Sequence, residues 1–233
     1  MILQDLLLEV RRRISQVKSL PIRYALMDAY LKAARASEVV AFASDSDTTT
    51  PYGPKGTDAS EALFYPPSGG DPEPTVVFMV RTAKKGGAVR YVALPLNPKY
   101  EPWSRELFDY YKERKDKYVF PFTRQTLYNH AREAFAGLKY EITPQRFKHE
   151  EIGEHEKEAG VHFLRHLRAS ELVGVYGFTP MELASYCGWS YRAAGLTPVM
   201  MRYVSYSWQS YFPKLLRPSI YVLKAGLHTY ALE

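Results

Sequence analysis

Apolar residues recur at helical spacing over the first 18 positions. Leu3, Leu6, Leu7, Val10, Ile14 and Val17 form one stripe, opposite a basic face. The pattern predicts a helix over 2–18 that Pro21 breaks. A second helix is expected over 22–42, with Leu26, Ala29, Tyr30, Ala33, Ala34 and Val40 as its apolar positions. Residues 44–74 are rich in Asp, Ser, Thr, Gly and Pro, so they read as a long loop insertion with one short ordered piece at 59–65. Alternating β-formers then mark two strands, 75–80 and 89–94. The turn Lys84-Lys85-Gly86-Gly87 joins them into a hairpin with a basic tip.

Further along, the periodicity predicts a helix over 102–114, a short strand-like piece at 118–120, and a helix over 124–136 capped by Thr123. The polar stretch 141–159 reads as a solvated connector. His149 and His155 lie in it among glutamates, at no spacing that suits a metal. A helix over 160–173 follows. Thr179-Pro180-Met181-Glu182 is a capping box with proline at the first helical position, and Gly188-Trp189 ends the short helix it starts. Thr197-Pro198 opens another helix, carrying Tyr203 and Tyr206, and the tail 218–233 reads as a last one. The expected fold is mainly α with a small antiparallel β-sheet, an α+β class. It forms one domain over 1–233, with an N-terminal helix at 1–20 and a C-terminal tail at 212–233.

Composition narrows the partners. The 233 residues carry 31 Lys+Arg against 25 Asp+Glu, a net charge of +6. That favours a polyanionic partner, nucleic acid before an acidic membrane surface. A single cysteine excludes an internal disulfide and fits a reducing, intracellular setting. No apolar run reaches the roughly 18 residues that span a bilayer. The triple arginine after Leu6-Leu7-Leu8 has the wrong polarity for a secretory signal.

The candidate chemistry sits in five places. Arg35 stands in Arg35-Ala36-Ser37-Glu38-Val39, Lys85 at the hairpin tip, and His162 three residues before Arg165. Trp189 follows a glycine, and Tyr203 lies on the next helix. Each has a bland alternative. Arg35 at a helix end would cap the last carbonyls, and Glu38 would be a surface charge. Lys84 and Lys85 would be a solvated turn, His162 a core histidine and Trp189 a core aromatic. His162 and Arg165 share a helix face at this spacing and could meet one small anion.

In this order the five elements resemble the catalytic domain of the tyrosine recombinases, the phage-integrase family. Arg35-Ala36-Ser37-Glu38-Val39 is similar to its first arginine box. Lys85-Gly86 with Arg90, Val92 and Leu94-Pro95-Leu96 resembles its hairpin box. His162-Phe163-Leu164-Arg165-His166 is close to its H-x-L-R-H box, Cys187-Gly188-Trp189 resembles L-G-H, and Met201-Arg202-Tyr203 falls in the nucleophile segment. The resemblance runs from about residue 22 to residue 212. It implies a site-specific recombinase or integrase that cuts and rejoins double-stranded DNA through a 3′-phosphotyrosine. Arg35 and Arg165 would clamp the phosphate and Lys85 would protonate the leaving 5′ oxygen. His162 and Trp189 would assist at the phosphoryl oxygens, and Tyr203 would attack. Glu38, Lys84, His166 and Tyr206 are supporting or alternative residues, and Tyr211 competes on the same segment. Neither a metal, a cofactor nor ATP is implied.

The implied partner is DNA, the implied assembly a homo-tetramer on it with exchange of C-terminal tails, and the implied setting the cytoplasm, with no membrane. A minimal integrase of archaeal viruses or plasmids is one such protein. Type IB topoisomerase-like relaxation and non-catalytic DNA binding are the rival readings. Three departures stand out: Tyr203 lies further from Trp189 than the family pattern has it, Ala88 replaces the second hairpin lysine, and the 44–74 loop is long. So few residues precede Arg35 that the family's N-terminal DNA-clamping domain is expected to be absent from this chain.

Overall fold

The computed structural model describes residues 3–42, 59–68, 73–81, 89–114, 118–142, 155–190 and 207–218. Helix α2 (Leu20–Leu31) forms the centre. It begins with Pro21 in its first turn, and residues on every side of it are buried, among them Ile22, Leu26, Met27, Tyr30 and Leu31. A helix apolar all round belongs inside a bundle, and α2 touches α1 (Leu3–Ser15), α3 (Ala36–Val39), α4 (Pro102–Glu113), α5 (Arg124–Ala134) and α6 (Val161–Gly174). α1 buries Leu7, Val10 and Ile14, its predicted stripe.

The expected helix over 22–42 is interrupted. Ala33 takes φ +46 and the Ala34 N–H donates to Ala29 O at 2.8 Å, a left-handed termination of α2. A left-handed alanine costs roughly 1–2 kcal/mol. The strain sits where the chain turns to place Arg35 at the start of α3.

The short ordered piece expected at 59–65 is a 3₁₀ turn leading into strand β1 (Ala62–Tyr65). β1 pairs antiparallel with β2 (Thr75–Arg81), and β2 with β3 (Val89–Pro95), in the order β1-β2-β3. The register opposes Phe78 to Val92 and Val80 to Arg90. The hairpin tip, the rest of the 44–74 loop apart from 59–68 and 73–74, the helix expected from Thr197, and the tail beyond 218 lie outside the described residues.

Two further expectations are corrected. Residues 118–120 form no strand: Phe120 O accepts from Ala41 N and Thr123 bridges Phe42 in isolation, so the segment is a buried brace beside α3. The polar stretch is not all connector, since β4 (Lys139–Ile142) and β5 (His155–Glu158) pair as a second antiparallel hairpin. Charged residues hid it, because a two-stranded ribbon buries too little to demand apolar alternation.

Thr123 caps α5 as expected, accepting from Thr126 N. The Thr179–Glu182 capping box opens α7 (Pro180–Cys187), and Gly188 at φ +67 closes it. Thr179→Ala is expected to cost about 1 kcal/mol in urea unfolding. Glu182 also takes Lys214 of α8 (Trp208–Leu215) at 2.6 Å, tying α8 to α7. No helix among the described residues is long and apolar enough to cross a membrane. The architecture is mainly α with small antiparallel sheets, an α+β fold.

Candidate active site

Four sequence-predicted site residues meet where α2 ends, α3 and α6 begin, and α7 stops. Arg35 precedes α3 and Glu38 lies one turn later, so Glu38 Oε2 accepts the Arg35 backbone N–H at 3.1 Å while Oε1 pairs with Arg35 Nη1 at 2.9 Å. Arg165, on the inward face of α6, donates from Nη1 to Ala33 O at 2.6 Å and from Nη2 to Cys187 O at 2.7 Å. Its Nη1 stands 3.7 Å from Glu38 Oε2. The left-handed turn after α7 sets Trp189 beside it, with the Arg165 guanidinium 5.7 Å from the indole ring centre. Arg35 and Arg165, 130 positions apart in the chain, thus share one carboxylate.

A fifth residue belongs to this cluster and was not singled out for a role from the sequence. Arg90 donates to Lys32 O at 2.9 Å, to Tyr186 O, and to Glu38 Oε2 at 3.2 Å. The signal for it was present. Strand β3 alternates outward Val89 and Tyr91 with inward Arg90 and Val92, and a charge on the inward face of a sheet needs a buried partner.

The electrostatics follow from burial. Desolvation pulls Arg165 down to about 10, with Arg90 and Arg35 adding to it against Glu38, so Arg165 stays cationic at neutral pH. Burial pushes Glu38 up. Arg90 first, then the Arg35 backbone, Arg165 and the Arg35 side chain outweigh it and hold the carboxyl below its usual range. Among the described residues, three guanidinium groups thus surround this one carboxylate, and Arg35 is the most open of them, its side chain 30% exposed.

His162 lies in the first turn of α6 and His166 one turn on. Both are solvent-exposed, with their rings packed edge to face at 4.5 Å. Lys32 is close to Arg35 in sequence, yet its ammonium is buried against Asp28 at 2.5 Å and the Tyr111 hydroxyl at 2.7 Å. Burial pulls that ammonium down and pushes the Asp28 carboxyl up.

Tyr211 is corrected as a candidate nucleophile. Its ring is fully buried, its hydroxyl donates to Tyr91 O at 2.9 Å and accepts from Ala93 N at 3.2 Å, and burial pushes the phenol up. Lys84, Lys85, Tyr203 and Tyr206, like His149, lie outside the described residues. Among the described residues no group of His, Cys, Asp and Glu could hold a metal.

No protein-family model matches the chain, and neither does any curated protein. Among solved structures the chain is similar to the XerH site-specific recombinase bound to a palindromic difH substrate in a post-cleavage complex. The two share 16% identity at a TM-score of 0.44, over 86% of this chain and 48% of that one. The chain thus spans about half the length of that protein, and a likeness at this level carries no weight for function.

Proposed function

We propose that the chain is a metal-independent DNA strand transferase of the tyrosine-recombinase kind. The observation that carries this reading is the crowding of Arg35, Arg90 and Arg165 around Glu38. Cations gathered at a half-open edge favour an anion there, and the forked donors of arginine match phosphate oxygens. The described contacts of Arg165 use one N–H of each Nη, and those of Arg35 use Nη1. Arg165 Nε, and Nε and Nη2 of Arg35, remain able to meet the non-bridging oxygens of a phosphodiester. Charge developing on those oxygens in the transition state is what such fixed donors stabilise.

The Tyr203 phenol, with an ordinary pKa near 10, attacks phosphorus and gives up its proton, a step His162 assists. The bond to the 5′ oxygen breaks, and that oxygen takes a proton from Lys85 or Lys84. The DNA remains on the enzyme as a 3′-phosphotyrosine, and attack by a 5′ hydroxyl reverses the steps and rejoins a strand. Trp189 lines the edge and offers its indole N–H. Four protomers on DNA, exchanging tails 212–233, would carry out the exchange of strands.

The test is a duplex nicked near the cleavage point, which loses its short 5′ fragment and strands the covalent adduct. Tyr203→Phe should bind this duplex and form no adduct. An adduct retained in that variant assigns the nucleophile to Tyr206. Supercoil relaxation without junction products would favour the topoisomerase reading, and binding without adduct from any tyrosine would favour a non-catalytic DNA-binding protein.

A further inference from the structure

Arg90 differs from Arg35 in what it can reach. It is 5% exposed and its guanidinium is enclosed by three elements: the end of α2 through Lys32 O, the end of α7 through Tyr186 O, and α3 through Glu38. Its Nη1 serves both carbonyls, its Nη2 meets Glu38 and its Nε is sealed from solvent, so its donors are aimed at the protein and not outward. Glu38 divides its oxygens between the arginines, Oε1 to Arg35 and Oε2 to Arg90 with Arg165 close by. This works only while Glu38 is ionised. A protonated Glu38 would leave the guanidinium groups of Arg35 and Arg165 facing each other with no charge between them.

We propose that Arg90 is a positioning residue that keeps Glu38 ionised and so keeps Arg35 and Arg165 aimed at one phosphate. The inference rests on the strand-transfer reading above. Among the described groups that face Glu38 are Arg35 just ahead of its own helix, Arg90 from β3, Arg165 from α6 and the Cys187 thiol from α7. Burial pushes that thiol up, so it brings no charge at neutral pH. Arg90 is the strongest of these in holding the Glu38 carboxyl down.

The test compares single-turnover adduct formation by wild type, Arg90→Gln and Arg90→Lys on the nicked duplex, from about pH 5 to about pH 9. Glutamine keeps a donor for the carbonyls without the charge, and lysine keeps the charge. In wild type the limb set by Glu38 lies below this range. In Arg90→Gln it should move up by about one to three pH units and enter the range at undiminished DNA affinity, because Glu38 takes its proton at higher pH. Arg90→Lys should restore the limb. A purely structural role would lower the rate by one factor at every pH, and that result, or a lysine variant indistinguishable from glutamine, overturns the inference. Should Arg90→Gln not fold, Glu38→Gln carries the test: loss of adduct rate with DNA affinity kept is expected, and a wild-type rate overturns it. Wild type that forms no adduct removes the strand-transfer reading itself, a separate outcome from wild-type adduct with an unmoved limb.

Discussion

Arg165→Ala is expected to lower the rate of covalent adduct formation by at least about 10²–10³-fold, the loss seen when one fixed donor to a developing oxyanion is removed. DNA affinity should fall far less, since most binding energy comes from the phosphates flanking the reacting one. The loss has two sources. The variant lacks the donors offered to the phosphate, and it orphans the Ala33 and Cys187 carbonyls that Arg165 now satisfies. The second source also predicts a lower unfolding midpoint. Arg165→Lys separates the two, because an ammonium keeps the charge but cannot reach both carbonyls and an oxygen at once. Single-turnover kinetics beside thermal unfolding check both variants. Arg165→Ala at the wild-type rate would remove the phosphate clamp from the proposal.

The largest stability effect should come from a second buried charge network, which joins α1, α2 and α6 to Glu101 ahead of α4. Arg11 makes a two-pronged pair with Glu101, both bonds 2.7 Å. Arg168 bonds Glu171 at 2.5 Å and stands 3.8 Å from Glu101, while the Tyr30 hydroxyl donates to Glu171 at 2.6 Å. Arg168 is 1% exposed, and its guanidinium lies within 6 Å of the rings of Tyr30, Tyr176 and Tyr186. Removing one partner of a buried pair costs about 3–5 kcal/mol, since the remaining charge loses compensation it cannot recover from water. Arg168→Met should therefore destabilise the fold by that amount at neutral pH in denaturant unfolding. A change under about 1 kcal/mol would mean that the network contributes no more than a surface pair.

Its pH dependence follows from Glu101. Burial pushes that carboxyl up, Arg11 and then Arg168 outweigh it, and it ends below its ordinary 4.5. A depressed folded-state value contributes stability that is complete above the ordinary carboxylate range. That contribution drains as pH falls through the lower folded value. Unfolding midpoints measured on the acid side should thus drop more steeply in wild type than in Glu101→Gln.

Much of the fold was legible because local chemistry determines it. The apolar stripe of α1, the hairpin of β2 and β3, the Thr123 cap and the Thr179–Glu182 box each depend on residues within a turn or a strand of one another. The break after Leu31 was not legible. Nothing in Lys32-Ala33-Ala34 announces a left-handed turn, and alanine is the residue that best continues a helix. The turn exists because it lets the carbonyl of Ala33 accept from Arg165 and swings Arg35 back over Glu38. The β4–β5 ribbon escaped notice for a related reason, since its residues are mostly charged and its pairing is set by the chain on either side.

The candidate site divides in the same way. The sequence by itself determined which side chains could do phosphate chemistry, because guanidinium, imidazole, indole and phenol are properties of residues and their order along the chain is fixed at synthesis. Only the tertiary structure decided which of them share a carboxylate, that Arg90 joins them from β3, and that Tyr211 is sealed in the core. Those outcomes depend on contacts between positions 50 to 130 apart, which exist only in the folded chain. No local pattern carries that information, since burial is a property of what surrounds a residue and not of the residue itself.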